Sequence, residues 1–412
     1  MAYQRFLLWM VMTLIVGCAI AVGTVLLVDP YGLYGLVLKD GVNAVKPMTT
    51  RYRNEIKLAN AQRMEASTLL LGNSRVEVGF DPMNPALGGQ AFNLGLAGTG
   101  TDTAVGQLQA LVASGKKPQR IIAGLEFMDA MSAPGAAQAA APVKRPAQWA
   151  GMWRFDALFS LSSLKDAMLT LMIQRDPEAE SQTLRGFTPL RQYERFVRVD
   201  GYYKIFQQRA SENVRGALRR AGGELDAATV HQELASLLDT AAQANPGVDV
   251  HLMIYPYHAQ MMAIIEQSGL WNRFETWKGV LVEEVAAARA RHPQARITLH
   301  DFSGYGEFNC EAIPGAGSTQ HTRWYWEAGH FKATLGEVLV GRMLGSAPQD
   351  FGMELTTASV ERNRARIAQE RSACAASQPA LFTDVDRMVR QARGLSMTAA
   401  SAWPKAALTA GQ

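Results

Sequence analysis

From Phe6 to Val28 the chain runs 23 residues without a charge, broken only by Thr13, Thr24 and small residues. A run of that length can cross a bilayer as one helix, so the rest of the chain is expected to fold beside a membrane. A cleaved signal peptide would have a shorter apolar core and a small-residue cleavage site. Ile15-Val-Gly-Cys18 is like a lipoprotein cleavage site, but ten apolar or small residues follow the cysteine. The expectation is therefore a flank at 1–5 and an uncleaved anchor at 6–28. Arg5 lies before the span, and Lys39, Lys46, Arg51 and Arg53 lie after it. That balance leaves orientation open, because large domains can translocate regardless of local charge.

The remaining length suits one large domain with appendages, or two domains. Net charge is +4 over 412 residues, and no dense Lys/Arg run marks a nucleic-acid partner. The three cysteines, Cys18, Cys310 and Cys374, lack metal-ligand spacing, so no metal site is expected. Cys310 and Cys374 could pair if their domain lies outside the cytoplasm.

Five short apolar runs follow a helical pattern at about 50–65: Ser67–Leu71, Ala91–Leu94, Arg120–Leu125, Val248–Tyr255 and Arg296–His300. Runs this short suit strands covered on both faces. Helical patterns at Thr103–Ser114 and Trp271–His292 lie between neighbouring runs, which predicts a doubly wound α/β sheet. The expected divisions are a juxtamembrane segment and helix at 29–65, an α/β domain at 66–345 with a mostly helical insertion at about 132–245 that could cover the mouth of a site at the sheet's rim, and a helical extension with a disordered tail at 346–412. Residues 132–147, rich in Ala, Pro and Gly, read as a flexible loop.

The first run leads directly into Gly72-Asn-Ser74. A serine at the carboxyl end of a strand sits at the rim where open α/β sheets place their chemistry. Ser74 reads either as a helix cap or as a nucleophile, which would need a base. His330 is the candidate base, just before a strongly periodic helix, with Glu327 three residues earlier to hold the imidazole. Glu327 reads equally as an acid near a helix start. Gly98, after the second run, can offer its backbone N–H to a developing oxyanion. Glu126 and Asp129, after the third run, can bind a hydroxyl or cap the next element. Arg75 and Trp326 flank the serine and the acid as candidate substrate contacts. Trp326 belongs to the aromatic group Trp324-Tyr-Trp326, which reads either as core or as a platform for a sugar ring. Gly95-Leu-Ala-Gly98-Thr-Gly lacks the dinucleotide-binding order, and no cofactor is called for.

These blocks, in this order, resemble the SGNH (GDSL-like) hydrolases over roughly residues 66–128 and 248–344. The resemblance implies a three-layer sandwich around a five-stranded parallel sheet, flavodoxin-like in type. It implies Ser74 as nucleophile, His330 as base, Glu327 as its orienting acid and Gly98 as oxyanion donor. Three positions depart from the family pattern: Asn73 stands for the usual Asp, Glu327 for Asp, and Glu126 for the oxyanion-hole Asn. A carboxylate at that last position would repel an oxyanion unless it is protonated or turned away. The departures and the anchor resemble divergent membrane-anchored members from bacterial exopolysaccharide clusters, including the alginate O-acetylation proteins. This implies a single-pass inner-membrane protein with a periplasmic domain. Its expected activity is that of a carbohydrate O-acyl esterase or O-acetyltransferase acting on an exopolysaccharide. The alternative is an inactive glycan-binding or assembly subunit working with polysaccharide-synthesis proteins.

Overall fold

The computed structural model describes residues 2–49, 51–132, 152–345 and 351–401, with side chains described to residue 394. The loop expected at 132–147 lies outside the described residues except for Ser132, and so does most of the expected tail.

Helix α1 (Ala2–Val28) is followed by β1 (Lys46–Pro47), α2 (Arg53–Arg63), β2 (Thr68–Leu71), α3 (Ser74–Gly79), β3 (Ala91–Asn93), α4 (Thr101–Ala113) and β4 (Arg120–Leu125). A short 3₁₀ turn, Phe127–Ala130, leaves β4. Next come α5 (Met152–Phe159), α6 (Leu161–Ile173), β5 (Ser181–Gln182), α7 (Gln192–Ala221) and α8 (Ala227–Ala244). Gly201 breaks α7 into two segments at a positive φ of 72°. The chain returns to the sheet with β6 (Asp249–Ile254), α9 (Ala259–Gln267), α10 (Trp271–Arg291) and β7 (Arg296–Asp301). It ends with a hairpin of β8 (Tyr325–Glu327) and β9 (His330–Phe331), then α11 (Ala333–Met343), β10 (Met353–Glu354), α12 (Val360–Ser377) and α13 (Pro379–Ser401).

The main sheet has the order β10-β7-β6-β4-β2-β3. Neighbours from β7 to β3 pair in parallel, whereas β10 pairs with β7 antiparallel through Met353–Asp301 and Glu354–His300. The expected five-stranded parallel sheet is thus a mixed six-stranded one. The extra strand is two residues long, too short to leave a periodic signal, and it covers an edge that would otherwise present unpaired backbone groups. Successive residues of a strand point to opposite faces, and all of β2 and β3 is buried, so both faces of the sheet are covered.

The helices pack in two sets. In one, α8 lies against α4 and α10, and α2 lies against α4. In the other, α7, α9 and α13 meet, as do α3 and α11. Helix α8 therefore belongs to the layered core, and the helical insertion ends before it. The described residues from Phe351 onward also join the core. Asn363 donates to Asp301 (2.7 Å), Lys278 pairs with the same carboxylate (2.9 Å), and Cys374 is disulfide-bonded to Cys310. The periodicity of α12 and α13 showed helices but not what they cover.

Candidate active site

Strand β2 delivers the chain to the sheet's rim, and Gly72 makes the turn. Its φ is 144°, and a Cβ there would collide at 2.7 Å with both the Tyr255 hydroxyl and Val76. Asn73 caps α3 by accepting from the Arg75 N–H at 3.0 Å, so Ser74 is the first residue of the helix rather than its cap. First-turn N–H groups have no partner within a helix. The N–H of Ser74 has none among the described residues, and neither does that of Gly98.

The partner of Ser74 arrives from 256 residues away. His330 Nε2 lies 2.8 Å from Ser74 Oγ, and His330 Nδ1 hydrogen-bonds Glu327 Oε1. The second Glu327 oxygen accepts from the Gly329 N–H at 2.8 Å. Burial alone would raise the pKa of Glu327. The charge and hydrogen bond of His330, the Gly329 N–H and Arg75 outweigh it and hold the carboxyl at about 2. An ionised Glu327 accepts from Nδ1–H, which leaves the Nε2 lone pair facing the serine hydroxyl.

The packing that sets this distance uses glycines. A Cβ on Gly336 of α11 would overlap the carbonyl oxygen of Gly79 at the end of α3, and a Cβ on Gly79 would overlap the ring of Phe331. Phe331, next to His330, also meets Phe80 edge-on at 5.5 Å. These contacts seat the β8–β9 hairpin directly against the nucleophile's helix.

The Gly98 loop is held from two sides. The Asn93 amide donates to the carbonyls of Val76 and Phe80, both at 2.8 Å, and its oxygen accepts from the Gly95 N–H at 2.9 Å. Glu77 accepts from the Ala97 N–H at 3.0 Å, one residue before Gly98, whose φ is 75°. Glu77 is buried and pairs with Arg53 (2.5 Å) and Lys57 (3.2 Å) of α2. Burial pulls the Lys57 ammonium down to about 8 against the opposing pull of Glu77.

Glu126 lines the site, as its position in the sequence suggested, but it is fully engaged. It is ion-paired with Arg75, accepts from the Tyr257 hydroxyl at 2.8 Å and from the Met128 N–H at 3.1 Å. Arg75 also stacks over Tyr255 and Tyr257, at 5.3 and 5.2 Å from the ring centroids. Arg75 therefore serves as the counter-charge of Glu126.

A cavity of about 370 Å³ opens at Ser74, Arg75, Gly98 and Glu126. Its far wall is α7, through Glu212, Asn213 and Arg220, and Asp129 also faces it. Loss of water around Asp129 and the neighbouring charge of Glu126 push its carboxyl up to about 7, against the pull of Arg75 and Arg220. Of the helical insertion expected to be able to cover the mouth of the site, α7 is the part that lines this cavity.

Trp326 is not a platform. Its ring is buried against Tyr193 (centroids 5.6 Å apart) with Lys332 Nζ 4.6 Å above it, and it does not line the cavity. Tyr325 is wholly buried as well. The central residues of the aromatic group are core because alternate positions of the short hairpin both face protein.

No protein-family profile and no curated protein matches the chain. Among solved structures, one described as "a putative platelet activating factor from Streptococcus pneumonia" is similar at 12% identity, with a TM-score of 0.33 over 71% of this chain and 92% of that one.

Proposed function

We propose that the protein is a membrane-anchored serine esterase or acyltransferase of SGNH type, acting on O-acylated carbohydrate outside the cytoplasm. The observation that carries this is the unbroken chain Ser74 Oγ–His330–Glu327 together with two N–H groups, of Ser74 and Gly98, that have no partner among the described residues. Ser74 Oγ attacks the acyl carbonyl while its proton passes to His330 Nε2. The Ser74 and Gly98 N–H groups receive the oxyanion. The sugar oxygen leaves with the proton from His330. Water or a second sugar hydroxyl, deprotonated by His330, then takes the acyl group from Ser74.

The polar wall of the cavity suits a hydroxylated substrate better than a long acyl chain. An exopolysaccharide fits this chemistry, and an inner-membrane, periplasmic setting fits the anchor. The Cys310–Cys374 bond supports an oxidising compartment. The ion pair with Arg75 answers the objection raised by Glu126, since a neutralised carboxylate no longer repels an oxyanion strongly.

A fluorophosphonate probe tests the reading. It is expected to label the wild type, to leave Ser74→Ala unlabelled, and to label His330→Ala far more slowly. Equal labelling of wild type and Ser74→Ala overturns it. Wild type that takes no probe yet binds glycan would favour the non-catalytic binding subunit instead.

A further inference from the structure

Helices α5 and α6 form a hairpin packed along the end of α1. Their polarity is reversed relative to a water-soluble helix pair. Ser163, Ala167 and Thr170 face inward and are wholly buried. Asp166 accepts from the Tyr31 hydroxyl at 2.7 Å, Asp156 accepts from Tyr52 at 2.6 Å, and Gln174 exchanges hydrogen bonds with the Val45 backbone at 2.8 and 3.0 Å. The outward face carries Phe155, Phe159, Leu161, Met168, Leu169 and Met172. Leu161 is 86% exposed and Met172 77%. Soluble domains rarely leave such a contiguous apolar face in water.

The position of the hairpin says what covers that face. Val25 and Val28 of α1 cluster with Ala167, Leu158 and Leu164. Apart from Leu7, the partly buried residues of α1 lie between Ala21 and Val28. From Ala21 to Val28 is about 10 Å of helix at 1.5 Å per residue, all within the uncharged run. If Phe6–Val28 spans the bilayer, its last third is at the level of the hairpin, and lipid must reach the hairpin's outer face. Lys165 is exposed one turn after Leu161. A lysine can extend its ammonium to the headgroups while its stem lies among apolar groups. The Arg154 guanidinium lies 5.3 Å from the Trp153 ring, a pairing suited to a membrane–water boundary.

We propose that the α5–α6 hairpin is a second membrane-binding element, lying in the interface beside α1 with Phe155, Leu161 and Met172 against lipid. It rests on the reading of α1 as a span, and the test separates the two. Single cysteines at Leu161→Cys, Met172→Cys and Glu361→Cys, in a Cys18→Ser background, carry an environment-sensitive fluorophore. The wild-type Cys18 is labelled as the reference within α1. The full chain is reconstituted in phosphatidylcholine vesicles containing nitroxide lipid. Quenching at 161 and 172 is expected to exceed that at 361 several-fold and to approach that at Cys18. Quenching at Cys18, with 161 and 172 no different from 361, overturns the hairpin proposal and leaves the anchor standing. An unquenched Cys18 overturns both.

Discussion

Two buried carboxylates set the behaviour of the site. Glu327→Gln removes the charge that fixes the His330 tautomer, while Gly329 N–H still has an acceptor. It is expected to lower acyl-ester turnover by up to about 10⁴-fold with little change in melting temperature, measured by initial rates and thermal unfolding. Glu126→Ala leaves Arg75 buried without its counter-charge and is expected to cost roughly 3–5 kcal/mol in urea unfolding. His258 and His300 act on stability at a distance from the chemistry. Burial lowers His258 to about 4, against the Glu311 carbonyl and Glu327. Burial, His251 and nearby arginines lower His300 to about 3. His258 accepts from the Gln260 N–H through Nδ1 and donates through Nε2 to the Glu311 carbonyl, so its neutral form is the bonded one. Below pH ~6.5 the unfolded chain takes protons that these folded histidines refuse. Stability is therefore expected to be full above that pH and to fall on acidification toward pH 4, by about 1.4 kcal/mol per pH unit for each histidine. Urea titrations at stepped pH check this, and His300→Gln is expected to flatten the slope.

At the scale of elements, the site depends on how closely α11 approaches α3. Gly336→Ala places a methyl group against the Gly79 carbonyl. It is expected to cost about 1–3 kcal/mol and, by moving the β8–β9 hairpin, to slow probe labelling of Ser74. Much of this arrangement was legible beforehand. The strands at 68–71, 91–93, 120–125, 249–254 and 296–301 coincide with the apolar runs because strands covered on both faces need continuous apolar sequence. Ser74 was conspicuous because it follows such a strand, and His330 because it precedes a strongly periodic helix with an acid three residues earlier. Arg75 as partner of Glu126 and Glu77 as the support of the Gly98 loop were not, and the helical insertion that could cover the mouth of the site did not show which of its helices would line the cavity. Each depends on contacts between distant segments, and neither a charged residue after a serine nor an amphipathic helix says which partner it will meet. Trp326 was ambiguous for the same reason, since an aromatic looks alike in sequence whether it faces a sugar or a tyrosine.

At the scale of the whole molecule, the Cys310–Cys374 bond closes a loop across 64 residues and ties α12 to the segment before the β8–β9 hairpin. Cys310→Ser is expected to lose about 4 kcal/mol by loop-closure entropy, seen as a lower urea midpoint than wild type under oxidising conditions and an equal one after reduction. The ion pairs of Glu77 carry a different lesson, about where the chain can be cut. Arg53 and Lys57 precede β2, the first strand of the main sheet, and Gly186, whose carbonyl accepts from Lys57 at 2.9 Å, comes more than a hundred residues later. A soluble fragment begun at residue 66, where the α/β pattern starts, would keep Ser74, His330 and Glu327. It would also leave the Glu77 carboxylate in the interior with no cation opposite it, three residues from Ser74. A fragment begun near Asp29 keeps that carboxylate neutralised. The segment that looks like a tether between α1 and the α/β domain is therefore part of that domain's smallest foldable unit.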